Sequence, residues 1–136
     1  MSDHQLALHL DRFFRRMHGR LHEKALVFDT RKVGPFGAMV LLTLADHDAL
    51  PMQEIAKRLA RDKSQLTRMV HQLEEKGLIA RAVSEQDARI SLISITEEGM
   101  DAVEVHRKAV AESIEEVLGP LSEREIQLMT DILKRA

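Results

Sequence analysis

Six polar side chains crowd one short stretch at helical spacing: Lys63, Ser64, Gln65, Thr67, Arg68 and His71. They offer ammonium, hydroxyl, amide, guanidinium and imidazole groups. Such groups bond phosphate oxygens, and Gln and Arg can also address base edges with two atoms at once. The chemistry they suggest is recognition of nucleic acid. Nothing nearby suggests catalysis: the chain has no nucleophile elbow, no phosphate-binding glycine loop and no metalloprotease helix motif. An enzyme is not expected, and neither is a cofactor.

A helix can display those groups only if its other side is buried. Leu66, Met69, Val70 and Leu73 fall at i, i+3, i+4 and i+7 and supply that side. Asp62 suits the N-cap, and Gln65 three residues on completes a capping-box pattern. Lys76-Gly77 gives a basic last turn followed by a C-terminal glycine. Upstream, Met52, Ile55, Ala56 and Leu59 form a shorter apolar stripe. Pro51 would open it at a first helical position, where a missing amide costs nothing. Only Ala60-Arg61 separates the two helices. That is the helix-turn-helix pattern, whose second helix enters the major groove.

Downstream, Leu78–Val83 and Ile90–Ile95 are β-branched and apolar, and the polar Ser84–Arg89 lies between them. This reads as a hairpin with a charged tip. Thr96 then caps a helix opened by Glu97 and Glu98, whose charges suit a helix N-terminus. The expected fold class is mainly α (α+β): a winged helix-turn-helix with long terminal helices.

The run Gly77-Leu78-Ile79 through Arg81, then Asp87-Ala88-Arg89, then Ile95-Thr96-Glu97-Glu98-Gly99 resembles the signature of the MarR family of bacterial transcription regulators. Gly34-Pro35-Phe36 through Leu44 resembles the family's second helix. Ala88 stands where the family more often carries arginine, and Pro51 where it more often carries a serine or threonine cap. The resemblance implies a homodimer that reads a pseudo-palindromic operator. It also implies a repressor relieved by a small-molecule ligand held between the dimer helices and the DNA-binding lobe. Arg89 would reach a minor groove, and Asp87 would brace the wing by pairing with Arg81 or with Arg89 itself.

The 136 residues suit one domain, with a DNA-binding lobe over 34–96 and dimerisation helices over 1–30 and 97–136. The net charge of −2 is unevenly spread. From Lys57 to Arg89 eight basic residues face five acids, and from Thr96 onward five face ten. The middle is therefore the phosphate-binding candidate. There is no cysteine, which excludes disulfides and thiol redox sensing. No apolar run reaches the roughly 20 residues of a membrane span, and no secretory segment follows Met1. A cytoplasmic location is expected.

Leu6, Leu10, Phe13, Phe14, Met17, Leu21 and Ala25 keep helical spacing from His4 to about Phe28. Arg12, Arg15, Arg16 and Arg20 lie on its other faces, where they could attract a small anionic ligand. Pro35 starts a second helix, and Phe36, Met39, Val40, Leu42 and Leu44 make it apolar nearly all round, hence central and buried. Asp46–Leu50 reads as a turn. Val103, His106, Val110, Ile114 and Val117 stripe a long helix to about Leu118, which Gly119-Pro120 stops. Ser122 and Glu125 form a capping box for a last helix striped by Leu128, Met129, Ile132 and Leu133. These terminal stripes exceed what a small DNA-reading unit buries, so a second copy is expected to cover them.

His18 and His22 stand one turn apart beside Glu23, and His106 lies further on, so a zinc-gated form of the regulator competes with this reading. No metal site is assigned to them. A winged-helix module that binds protein without binding DNA is the other competitor.

Overall fold

A computed structural model describes residues 3–28 and 31–136. The elements follow in order: α1 (Asp3–Phe28), α2 (Gly34–Ala45), β1 (Leu50–Pro51), α3 (Met52–Leu59), α4 (Lys63–Glu75), β2 (Ile79–Val83), β3 (Ser91–Ile95), α5 (Glu97–Leu118) and α6 (Glu123–Arg135). Residues 1, 2, 29 and 30 of the expected first segment, and the side chain of Ala25, lie outside what is described. The chain divides into two compact units, one of Met1–Val27 with Lys108–Ala136 and one of Phe28–Arg107.

The Phe28–Arg107 unit closes on its own core. Val40, Leu44, Ile55, Leu66, Val70, Leu78 and Ile93 are fully buried there, joined by Leu41, Leu73, Ile79 and Val103. All of the expected α4 stripe is inside except Met69, which is half-buried. In α2 the buried face is Gly37, Val40, Leu41 and Leu44, and Met39 is exposed. That helix is therefore buried along one face, not all round.

The sheet has three strands in the order β1-β3-β2, both pairs antiparallel. Two expectations change here. Leu50 is not part of a turn: it pairs with Ile93 and is buried. Pro51 is not the first helical residue. It sits extended (φ −68°, ψ 152°) as the N-cap of α3 and as the end of an edge strand opposite Leu92. An edge position suits a residue with no amide to donate.

The junction of β3 with α5 explains the spacing of Thr96 and Gly99. The Thr96 hydroxyl donates to the Gly77 carbonyl (2.7 Å) and accepts from the Gly99 amide (3.1 Å). The Thr96 amide donates to the Leu78 carbonyl (3.1 Å). A Cβ at Gly99 would collide with that same carbonyl oxygen. One threonine and one glycine thus dock the start of α5 onto the end of α4. Gly77 closes α4 with φ +75°, a conformation costly for any residue with a Cβ.

In the other unit, burial is sparse. Met17, Ala109 and Ser113 are inside, and the Ser113 hydroxyl donates to the Ala109 carbonyl (2.8 Å). Lys24 bonds Glu116 (2.8 Å) and also faces Glu112 (3.6 Å). These contacts hold the Lys24 ammonium above its usual pKa range and Glu116 below that of a carboxylate. The α6 capping box forms as expected, with Glu125 bonding the Ser122 amide (2.9 Å) and Ser122 accepting from the Glu125 amide (3.2 Å). Yet α6 buries none of its residues. Among the described residues no helix is long and apolar enough to cross a membrane.

Candidate nucleic-acid interface

The turn between α3 and α4 is set by the backbone. Ala60 ends α3 in the left-handed region (φ 50°), with its amide on Lys57 and the Arg61 amide on Ala56. The chain reverses there and α4 starts three residues later, at Lys63. Asp62 caps α4, but not as a capping box. Its carboxylate accepts from both the amide and the hydroxyl of Ser64 (3.1 and 3.0 Å), while Gln65 makes no return bond. Those two bonds hold the Asp62 carboxyl below the ordinary range. The cap therefore spends the two donors of Ser64, leaving its hydroxyl oxygen as an acceptor, and Gln65 is left exposed for other use.

The polar residues of α4 fall into two stripes. Ser64, Thr67 and His71 run along the outside. The Thr67 hydroxyl is turned back onto the Lys63 carbonyl (2.8 Å), and His71 Nε2 lies 3.1 Å from Glu75 Oε1. Gln65, Arg68 and Gln72 run beside them and, with Phe36, Arg61 and Met69, line an open hollow of about 300 Å³. Arg61 lies over the Phe36 ring, its guanidinium carbon 5.0 Å from the centroid. Sequence reasoning missed this pair. The two residues are 25 positions apart, and only the close approach of α2 to α4 brings them together.

The wing is wired within itself. Five residues of β2 pair with β3, from Ile79 opposite Ile95 to Val83 opposite Ser91. At the tip, the Asp87 carboxylate accepts from the Arg89 amide (3.0 Å) and from two nitrogens along one edge of its guanidinium (Nε and Nη2, 3.1 Å each). Arg89 remains 89% exposed. The pairing lowers the Asp87 pKa and raises that of Arg89, in each case mainly through their side-chain bonds. Arg81 takes no part in the tip. Its Nε lies 3.6 Å from Glu74 of α4, so of the two arginines the sequence offered to Asp87, Arg89 is the partner.

The charge pattern of this unit is uneven. Arg31, Arg58, Arg81, Arg89 and Arg107 each have a carboxylate within ion-pair distance. Among the described residues Arg61, Arg68, Lys57 and Lys63 form no ion pair, and neither do Lys32 and Lys76; the Lys76 ammonium bonds the Arg31 and Lys32 carbonyls instead. The first four surround the helix-turn-helix turn. For the histidines, no group of three potential metal ligands gathers among the described residues.

Comparison with known proteins agrees with this architecture. The MarR family model matches residues 38–91. YdgJ of Bacillus subtilis, an uncharacterized HTH-type transcriptional regulator, is 33% identical over 96 residues, 70% of this chain and 58% of its own. The matched stretch thus spans under two thirds of that relative. The HTH-type transcriptional repressor MdtR of B. subtilis is 34% identical over 113 residues, 81% of this chain and 70% of its own. A mutant MepR of S. aureus, solved bound to an oligodeoxyribonucleotide, superposes with a TM-score of 0.67 at 27% identity, covering 96% of this chain and 94% of that one. With this fold and these relatives, the chain belongs to the MarR family.

Proposed function

We propose that the chain is a DNA-binding transcription regulator, a homodimer that reads a pseudo-palindromic operator in the cytoplasm. On this reading α4 is the recognition helix. Ser64, Thr67, Arg68 and His71 face the major groove, Gln65 its edge, and Lys63 the phosphates at the helix start. Arg89 enters the adjoining minor groove with Asp87 setting its direction, while Arg81 fixes the wing to α4 through Glu74. The single observation that carries this is the set of four cations at the helix-turn-helix turn, none within ion-pair distance of a carboxylate among the described residues, on a unit whose other arginines are paired with acids. Duplex phosphates are the counter-charge that such a set suits. That MepR was solved on DNA supports the same use of the fold.

The dimer rests on the unburied terminal helices. Phe14, Leu128 and Leu133 of this unit are 62%, 59% and 68% exposed, large apolar side chains that a partner surface would cover. A second copy buries them and sets two recognition helices about one helical turn (~34–36 Å) apart. The regulator is a repressor, as MdtR is named, and a small anionic ligand relieves it. The cations Arg12, Arg15 and Arg16, which line a hollow on α1 with His9, favour an anion. The test is a titration of the DNA flanking the gene, with sedimentation of the protein alone and on DNA. One dimer per palindrome, with affinity falling steeply in salt, is expected. Monomeric protein, or no duplex binding at low salt, would refute the proposal.

A further inference from the structure

We infer that Phe36 and Arg61 form a phosphate-contacting element of the DNA interface, in which the Phe36 ring is a platform that positions the Arg61 guanidinium. The inference rests on the DNA-binding reading above and adds a residue from α2, outside the helix-turn-helix. Five arginines of the Phe28–Arg107 unit meet carboxylates. The two that do not, Arg61 and Arg68, line the same hollow beside the recognition helix. Among the described residues the Arg61 side chain has one partner, the Phe36 ring, with its guanidinium carbon 5.0 Å from the centroid. A cation–π contact commits no guanidinium N–H to a carboxylate, so the donors that grip a phosphate stay available. The left-handed Ala60 fixes where Arg61 leaves the backbone, and Phe36 is held by its packing against the core. Both ends of the contact are thus preorganised, so little side-chain entropy remains to be lost on binding.

The test uses the full-length protein and a fluorescein-labelled duplex of mixed sequence, titrated over a range of salt. Phosphate contacts act on any sequence, so no operator is required. Arg61→Ala should lower affinity and reduce the slope of log affinity against log salt by about 0.9, the value of one phosphate on duplex DNA. Phe36→Leu should lower affinity about two- to fivefold, the range of an exposed cation–π contact. Phe36→Tyr, which keeps the ring, should bind as wild type. In the Arg61→Ala background, Phe36→Leu should cost nothing further. Equal losses from Phe36→Leu in both backgrounds would mean that the ring acts through the fold, and would overturn its positioning role. Wild-type binding with an unchanged slope in Arg61→Ala would overturn the phosphate contact and leave the DNA reading intact. Failure of the wild type to bind duplex would overturn both.

Discussion

The two compact units use the same helical spacing of apolar residues to opposite ends. Within Phe28–Arg107 the stripe of α4 meets α2, α3 and the sheet, and Leu66, Val70 and Leu73 lose essentially all contact with water. Within the other unit the stripe of α6 is as regular, yet none of its residues is buried, and α1 leaves Leu6, Leu10 and Phe14 exposed. The first unit holds enough interior to fold on itself. The second buries only Met17, Ala109 and Ser113 among its described residues and leaves the α6 stripe in water, the surface that the proposed dimer would cover. Periodicity thus identifies a helix face that wants cover, and only the packing tells whether the cover comes from the same chain.

The sharpest way to break that comparison is to make one change in both places. Leu73→Ala removes a side chain that is 1% exposed and should cost about 2–5 kcal/mol of stability, independent of protein concentration. Leu133→Ala removes one that is 68% exposed. Within a single chain it should cost under about 0.5 kcal/mol. If a dimer forms on α6, wild-type urea unfolding should shift to higher denaturant as protein concentration rises, and this variant should unfold at lower denaturant than wild type at the same concentration. Identical, concentration-independent curves for Leu133→Ala and wild type would place the dimer contact elsewhere.

The second prediction concerns the joint between α4 and α5. Gly99→Ala pushes a methyl group into the Leu78 carbonyl and should destabilise by about 1–3 kcal/mol, as overpacking does. Thr96→Ala removes the cap on Gly99 and the bond to Gly77, at a cost of about 0.5–2 kcal/mol. Because both act on one joint, the double variant should cost less than the two losses added together. Strict additivity in thermal unfolding would show that the two residues work separately.

Much of this was legible in the chain because it is local. The α4 stripe, the Ser122–Glu125 box, the hairpin and the Thr96 cap each depend on residues within a few positions of one another. What escaped depends on distance or on competition. Leu50–Pro51 is too short to show a period, and it becomes a strand only because β3 offers an edge. The Asp62 cap had two takers at the helix start, and the nearer Ser64, with both an amide and a hydroxyl to give, displaced the expected exchange with Gln65. Arg81 had an acid in the wing and another in α4, and β2 places it against Glu74. The Arg61–Phe36 stack leaves no trace in spacing. Ser113 is a polar residue in a buried row, tolerable because its hydroxyl bonds back to Ala109.

Within the proposed interface, recognition helix and wing differ in what their arginines already hold. Arg68 has no ion pair to surrender, so Arg68→Ala should lose its whole contribution, about 1–3 kcal/mol on the best site if it reads a base edge. Arg89 is bound to Asp87, so its net charge toward DNA is partly cancelled. Arg89→Ala should cost less, and most on sites with A·T-rich flanks, where the minor groove is narrow. Asp87→Ala tests the brace directly. If the carboxylate only aims Arg89, its loss should blur flank preference while leaving the salt slope at least as steep. Equal losses for Arg89→Ala on A·T-rich and G·C-rich flanks would remove the wing from groove reading.

The smallest expected effect lies away from the interface, at His106. Partial burial disfavours its charged form and lowers its pKa below the ordinary 6.5. An unfolded chain takes up that proton as pH falls through about 6.5, while the folded chain resists it. The contribution to stability is therefore complete above about pH 6.5, and it declines as the medium is acidified until the folded histidine also titrates. His106→Gln keeps a polar side chain of similar size but has nothing to titrate. Unfolding free energies of wild type and variant should run parallel above pH 7 and converge or cross below 6.5, with the wild type falling more steeply. Parallel curves across the whole range would show that His106 meets the proton equally in both states. The acid sensitivity of the chain would then have to be sought in its carboxylates, where Asp62, Asp87 and Glu116, each held below the ordinary range, lose their pairing only at much lower pH.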